Sequence, residues 1–230
     1  MIGERINADF SQRVVLATAA MPWIASPQPG VQRRPLDRVG GEVARATSIV
    51  RYAPDSRFPA HEHGLGEEFL VLEGVFSDEH GDYPAGTYVR NPPGTHHAPR
   101  TRPGCIILVK LRQMTAGERD RIVVDTGQAR WQPGETAGHW RLPLYAGGGG
   151  GGGERVALER LDPRAQLPAA TCRGGEEIYL LSGALSDEHG TYGAGTWIRN
   201  PDGYQRSLRS ATGATWWVKR GHLPPLAAGG

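Results

Sequence analysis

Short runs of β-branched and aromatic residues recur along the chain, separated by turns rich in glycine, proline and aspartate. The clearest runs cover residues 47–53, 69–76, 87–89 and 105–111, and an apolar run at 14–20 precedes them. Turn signals roughly 8–12 residues apart are typical of all-β sandwiches and barrels. No segment shows a sustained helical period of apolar residues. The pattern therefore predicts an all-β jelly roll or small barrel.

Composition narrows the class of protein. With 33 glycines and 18 prolines in 230 residues, a helical bundle is excluded, because these residues destabilise helix interiors. The chain has no apolar stretch near the roughly 18 residues of a membrane span, so we expect no membrane association. A net charge of +2 gives no basic patch, and we expect no nucleic acid partner.

Two features bear on the cellular compartment. The two cysteines, Cys105 and Cys172, cannot form a disulfide framework, which favours the cytoplasm. The run at 14–20 could be the core of a secretory signal, but Glu4 and Asp9 precede it where basic residues belong, and Pro22 follows at once. A first strand is the better interpretation.

The chain contains an internal repeat. The segment GEEFLVLEGVFSDEHGDYPAGTYVRNPPG, from Gly66, returns as GEEIYLLSGALSDEHGTYGAGTWIRNPDG from Gly175. At an offset of 109, 26 of the 66 pairs between 46–111 and 155–220 are identical. We therefore predict tandem domains at 1–125 and 126–230, with the boundary between 113 and 130. The glycine run at 147–153 is predicted to be a flexible surface loop equivalent to Gly40-Gly41.

Histidines in the first copy form a candidate metal site, His61-x-His63-x3-Glu67 followed by His97. His61 and His63 lie two apart on a predicted strand, so both face one side, and a glycine-containing turn returns Glu67 toward them. Three imidazoles and a carboxylate suit one divalent transition metal: Fe(II), Zn, Mn, Ni or Cu. An octahedral metal would keep two positions open for substrate, water or dioxygen.

Nearby polar residues receive other interpretations. His96 and Glu68 alternate away from the site, although His96 stays an alternative ligand. His80 and His189 occupy a turn that both copies share, and Cys105 belongs to a core strand.

The second copy has lost most of the ligands. His61, His63, Glu67 and His97 correspond to Ala170, Cys172, Glu176 and Arg206. We expect Arg206 to pair with Glu176 in place of the metal charge, because an isolated buried carboxylate is costly. A residual site on Cys172 and Glu176 is the alternative.

The two histidine-containing motifs resemble those of the cupin superfamily, and the runs HEH…GEEFLVLEG and SDEHGDYPAGTYVRNPPGTHH resemble its ChrR type, the cupin-like domain of certain anti-sigma factors. The resemblance covers both copies and implies two tandem cupin domains, each a double-stranded β-helix or jelly roll, forming a bicupin. In those anti-sigma factors a separate N-terminal zinc domain grips the sigma factor. Residues 1–45 contain no Cys or His, so we expect no such domain here.

The resemblance leaves open whether the chain is an enzyme. One possibility is an Fe(II)-type dioxygenase that acts on a small ketone or diketone, as related stand-alone cupins do. The other is a non-catalytic metal-binding module for stress sensing or regulation, with no small-molecule substrate. No substrate-orienting group can be recognised in the sequence, and a homodimer is left open.

Overall fold

The computed structural model describes residues 4–41, 43–147 and 153–224. These form β-strands and a single 3-10 turn at Thr18–Ala20, with no α-helix among the described residues, so the all-β prediction is confirmed. The described part of the chain has no helix long and apolar enough to cross a membrane. In chain order the strands are β1 (Glu4–Ile6), β2 (Val14–Ala17), β3 (Ile24–Ala25), β4 (Val31–Gly40), β5 (Ala44–Tyr52), β6 (Ser56–Arg57), β7 (His61–Glu62), β8 (Glu67–Asp78), β9 (Gly81–Pro84), β10 (Thr87–Asn91), β11 (His96–His97), β12 (Arg100–Thr101), β13 (Cys105–Leu111), β14 (Ile122–Asp125), β15 (Gln132–Pro133), β16 (His139–Ala146), β17 (Arg155–Leu161), β18 (Ala170–Cys172), β19 (Glu176–Ser186), β20 (Thr191–Gly193), β21 (Thr196–Asn200), β22 (Tyr204–Arg206) and β23 (Ala214–Arg220).

The chain divides into two compact units. Unit 1 comprises residues 1–8 and 21–129, and unit 2 comprises residues 9–20 and 130–230. Unit 1 has an antiparallel sheet in the order β1-β4-β5-β13-β8-β10-β14 and a two-stranded sheet of β11 and β7. Unit 2 repeats this plan in the order β15-β16-β17-β23-β19-β21-β2, with β18 and β22 as its small sheet.

Strands β2 and β14 are equivalent, and each is the last strand at one edge of a sheet. Residues 14–17 and 122–125 are equivalent at an offset of 108. Nevertheless, β2 pairs with β21 of unit 2, whereas β14 pairs with β10 of unit 1. The predicted domain 1–125 therefore differs from unit 1 in two places: segment 9–20 belongs to unit 2, because β2 pairs there, and residues 126–129 belong to unit 1.

Alternating apolar residues build the core of each unit. In unit 1, Val50, Phe69, Phe76, Val89 and Ile107 are almost fully buried and pack together. In unit 2 the corresponding cluster is built around Trp216, Ile178 and Ile198. Burial of such side chains supplies most of the stability of a sheet packed on itself.

The equivalent loops after β4 and after β16 join equivalent strand pairs. The first contains Gly40 and Gly41, and the second contains the glycine run at 147–153. Residues 148–152 lie outside the described residues, so the predicted flexibility of this loop stays a prediction. Both cysteines are free and buried, and Cys105 lies in the core of unit 1 as expected.

Candidate metal centre

The four residues that the sequence pattern selected come together in unit 1. One ligand atom from each of His61, His63, Glu67 and His97 lies within 4.8 Å of the other three. Glu67 Oε2 is 3.4 Å from Nε2 of His63 and 3.4 Å from Nε2 of His97. The three imidazole rings have centroids 4.6–5.2 Å apart.

Two short strands and one turn position these side chains. In the small sheet, His61 lies opposite His97 in antiparallel register. The ladder continues as the His63 amide donates to the carbonyl of Thr95 at 2.8 Å. Glu67 then begins β8 after a turn in which Gly66 has a φ of 75°. Met114 packs against Gly66 where a Cβ would sit, so the turn requires glycine.

The imidazole of His63 is oriented by Thr95. The Thr95 hydroxyl donates to the Pro92 carbonyl at 2.6 Å, and it lies 2.9 Å from His63 Nδ1. Because that hydroxyl proton is already engaged, Nδ1–H of His63 is the donor and Nε2 carries the lone pair. Burial, reinforced by the neighbouring histidines and opposed by Glu67, lowers the pKa of His63 to about 4. His63 is therefore neutral at neutral pH, the state that a metal ligand needs.

Asp78 orients His97 in the same way. Its Oδ2 lies 3.3 Å from His97 Nδ1, and a carboxylate can only accept, so neutral His97 keeps its proton on Nδ1 and its lone pair on Nε2, the atom that faces Glu67. Burial acts to lower the pKa of His97, but the hydrogen bond to Asp78 and the charge of Glu67 outweigh it and raise the pKa. Burial acts to raise the pKa of Asp78, but hydrogen bonds from His97, the His80 amide and Tyr83 lower it to about 2.

The donor set fits a divalent transition metal. Nε2 of His63 and Nε2 of His97 are both buried, and neither makes a hydrogen bond with the described residues. Leaving such an atom without a partner is costly, and a metal bound by Nε2 while Nδ1 is hydrogen-bonded is the usual arrangement for histidine ligands. The group His61, His63, Glu67 and His97 can thus hold a metal ion.

A second layer of residues, which the sequence analysis missed, supports Glu67 and Asp78. Arg121, just before β14, donates to Asn91 Oδ1 at 3.1 Å and to the Tyr83 hydroxyl at 2.6 Å. Asn91 in turn donates to Glu67 at 3.4 Å, and Tyr83 donates to Asp78 at 2.9 Å. The repeat carried a signal for these residues, since Asp, Tyr, Asn and Arg recur as Asp187, Tyr192, Asn200 and Arg13.

The remaining polar residues lie outside the candidate site. His96 is exposed and is absent from the cluster of ligand atoms. Glu68 is buried in a separate ion pair, 2.9 Å from Arg90. His80 and His189 occupy equivalent turns, where each amide donates to the aspartate two residues earlier at 2.8 Å.

Unit 2 replaces the metal ligands with an ion-pair network. Arg206 Nε lies 3.1 Å from Glu176 Oε2, which confirms the predicted pair, and Arg220 Nε approaches the same oxygen at 2.7 Å. Ala170 lies opposite Arg206, as His61 lies opposite His97. Cys172 Sγ donates to Glu176 at 3.7 Å, and burial raises the pKa of its thiol to about 12. A protonated thiol is a poor metal ligand.

The network extends through a buried carboxylate that unit 1 lacks. Glu159 is 1% exposed and accepts two hydrogen bonds from Arg220, at 2.6 and 2.9 Å. The equivalent positions in unit 1 are Val50 and Leu111. In unit 1 these two residues line a cavity of about 510 Å³, which also borders His61, His63 and Glu67.

Comparison with protein families finds the same family in both halves of the chain. A model of the ChrR cupin-like domain matches residues 11–115 and again residues 119–224. The chain belongs to the ChrR cupin-like family. The predicted tandem cupin fold, two jelly rolls in one chain, is therefore confirmed. A search of curated protein sequences finds no match.

Solved structures agree with this cupin fold. A candidate dioxygenase from Nostoc punctiforme superposes with a TM-score of 0.75 at 16% identity, covering 94% of this chain and 85% of its own. A candidate glyoxylate-induced protein from Pseudomonas aeruginosa gives 0.73 at 14% identity, covering 94% and 92%. A bacterial pirin from Escherichia coli, in complex with nickel(II), gives 0.66 at 12% identity, covering 94% and 100%. At these identities the likeness concerns the fold.

Proposed function

We propose that this ChrR-type cupin is a metal-dependent oxygenase that uses dioxygen to cleave a small ketone or diketone in unit 1. The observation that carries the proposal is the cavity of about 510 Å³ that adjoins His61, His63 and Glu67. A site that binds metal only for structure needs no such space, whereas a substrate does. The candidate dioxygenase from Nostoc punctiforme adds support at the level of the fold.

Different residues of unit 1 would bind the metal and orient its ligands. His61, His63, Glu67 and His97 would hold the metal, which supplies Lewis acidity and one-electron chemistry toward dioxygen. Asp78 and Thr95 keep the Nδ1 protons of His97 and His63, so that both Nε2 atoms stay free to bind. Such supporting hydrogen bonds typically change metal affinity or activity by about 10–100-fold.

Part of the cavity wall is apolar. Val31, Val50, Val109 and Leu111 present apolar side chains to the space beside the ligands. A low-dielectric wall strengthens electrostatic interactions with a bound carbonyl group. Dioxygenase cleavage needs no external reductant, since the substrate supplies the electrons, one carbon–carbon bond breaks, and both oxygen atoms enter the products.

Metal analysis followed by oxygen uptake tests the proposal. The protein is purified from its native host, its metal is quantified, and uptake is measured with β-diketones and hydroxyaryl ketones before and after reconstitution with Fe(II). We expect uptake that is abolished by His97→Ala and kept by His96→Ala, since His96 is the exposed neighbour outside the cluster. One equivalent of zinc with no uptake after iron reconstitution would contradict the oxygenase and favour a sensing module.

A further inference from the structure

The cavity of unit 1 contains an arginine, Arg33, whose side chain makes no ion pair with the described residues. Arg33 lies on β4, is half-buried, and lines the cavity beside the candidate metal ligands. Its cross-strand neighbour on β5 is Val50, which cannot pair with it. Among the residues that the structure describes, the guanidinium of Arg33 makes no hydrogen bond or ion pair. A guanidinium that faces a cavity without a partner is a ready site for an anion.

In unit 2 the equivalent arginine has an ion-pair partner. Arg141 occupies the position of Arg33, and its cross-strand neighbour is Glu159. Arg141 Nε lies 3.2 Å from Glu159 Oε1. In one barrel of this chain the carboxylate that faces the arginine is therefore built into the protein, whereas the other barrel leaves its place to a valine and a cavity.

Tyr52 connects Arg33 with the candidate metal site. It lines the same cavity, and its position in unit 2 is taken by Leu161. Burial, followed by the negative charge of Glu67, raises the pKa of Tyr52, while the positive charge of Arg33 opposes the rise. The Tyr52 hydroxyl is thus within electrostatic reach of both Glu67 and Arg33, and it remains a proton donor at neutral pH.

Of the two other arginines that line the cavity, Arg38 is paired, whereas the side chain of Arg112, like that of Arg33, makes no ion pair with the described residues. Arg38 pairs with Glu4 at 3.3 Å and also donates to the Gly41 carbonyl. Arg112 lies over Gly64, beside His63, where it adds positive charge to the lining. The rest of the wall is largely apolar, with Val50, Val109 and Leu111 among its members.

We propose that the cavity of unit 1 binds a small organic acid, with its carboxylate paired to Arg33 and its apolar body packed on Val50, Val109 and Leu111. This inference rests on the proposed function in that it names the substrate class of the same site: a ketone that also carries a carboxylate. Arg33 is then the residue that determines specificity for acids over neutral ketones.

Equilibrium binding to zinc-loaded protein tests the inference without turnover. Isothermal titration calorimetry is run with three 2-oxo acids of increasing size, pyruvate, 4-methyl-2-oxopentanoate and phenylglyoxylate, and with the methyl ester of each. We expect at least one acid to bind about tenfold or more tightly than its ester, the scale of one charge-assisted pair. Arg33→Gln should remove this preference and Arg33→Lys should keep part of it.

Two further variants control the result. Arg5→Gln removes the same charge from an exposed strand of unit 1 and should leave both affinities unchanged. Val50→Glu places in unit 1 the carboxylate that unit 2 carries, and it should abolish acid binding by pairing with Arg33. The inference is overturned if no acid binds more tightly than its ester, or if Arg33→Gln keeps the preference.

The outcome separates this inference from the oxygenase proposal. Acid binding through Arg33 with no oxygen uptake by the iron-loaded protein would contradict the oxygenase proposal and support the acid-binding site. Oxygen uptake with neutral diketones, without any preference for acids, would support the oxygenase proposal and contradict the acid-binding site.

Discussion

Arg220 binds two buried carboxylates in unit 2, so its replacement is the sharpest test of the ion-pair network. Its Nη atoms lie 2.6 and 2.9 Å from the oxygens of Glu159, and its Nε lies 2.7 Å from Glu176. The variant Arg220→Leu installs the residue found at Leu111 of unit 1. Glu176 keeps Arg206 at 3.1 Å, and Glu159 keeps Arg141 at 3.2 Å.

Two routes give the size of the effect. Removing one partner of a buried ion pair costs about 3–5 kcal/mol, and the remaining arginines place Arg220→Leu at the lower end. Independently, burial acts to raise the pKa of Glu159, but Arg220 and then Arg141 lower it from 4.5 to about 2. That difference is about 3 kcal/mol, the same scale, and it is the net effect of burial and of all the neighbouring charges, with Arg220 the largest of these. We therefore expect Arg220→Leu to lower the free energy of unfolding by about 3 kcal/mol.

The double variant Arg220→Leu/Glu159→Val tests whether the two residues stabilise unit 2 as a pair or independently. It installs the pair found in unit 1, Val50 and Leu111, and removes the buried charge of Glu159 that has lost Arg220. The double variant should therefore be no less stable than Arg220→Leu alone. Urea unfolding followed by tryptophan fluorescence reports mainly on unit 2, which holds five of the six tryptophans, Trp131, Trp140, Trp197, Trp216 and Trp217. Arg173→Leu, at an exposed position of unit 2, is the matched control. Additive losses in the double variant would refute the reasoning.

Three further predictions concern metal and pH. We expect one metal equivalent per chain by mass spectrometry. The metal should be lost in Glu67→Ala or His97→Ala and kept in His96→Ala and Cys172→Ala. Two tightly bound equivalents would contradict this prediction. Asp78→Asn should weaken metal affinity by about 10–100-fold in competition with a chromophoric chelator, because it frees the ring of His97; an unchanged affinity would remove Asp78 from the site. Since the folded pKa of Glu159 is lowered to about 2, its stabilisation is present above 4.5 and is lost as pH falls toward 2. Glu159→Gln should therefore flatten the fall of unfolding free energy in that window, and an equally steep fall in the variant would contradict the assignment.

The repeat made the fold and the four candidate ligands predictable from the sequence. Cys105–Leu111 is a strand with the bounds expected, and β8 and β10 extend the predicted runs by a few residues. His61, His63 and Glu67 lie close in sequence, so strand alternation and one turn suffice to bring them together. His97 was within reach of prediction because a glycine turn at Gly94 sets where the return strand begins.

Long-range pairing limited the rest of the prediction. Alternation alone does not place Arg33 in the cavity, because a register shift between Pro35 and Asp37 changes which side chains of β4 face inward. Asp78 lies at the far end of a 12-residue strand from Glu67, and only the closed barrel brings both near His97. The charges at Glu159 and Arg220 were visible in the sequence, but their pairing depends on β17 and β19 flanking β23.

Arg121 shows why the exchanged strand matters to the candidate site. It immediately precedes β14, the strand that the second repeat contributes to unit 1. Through Asn91 and Tyr83 it supports Glu67 and Asp78, and so both the carboxylate ligand and the group that orients His97. Arg13 occupies the equivalent place before β2 in unit 2, bound to Asn200 and Asp187, where no histidine ligands remain. The same arginine bridge thus serves a metal centre in one barrel and an ion-pair core in the other. The bridge is therefore a property of the fold, whereas the chemistry depends on the few positions where the copies differ.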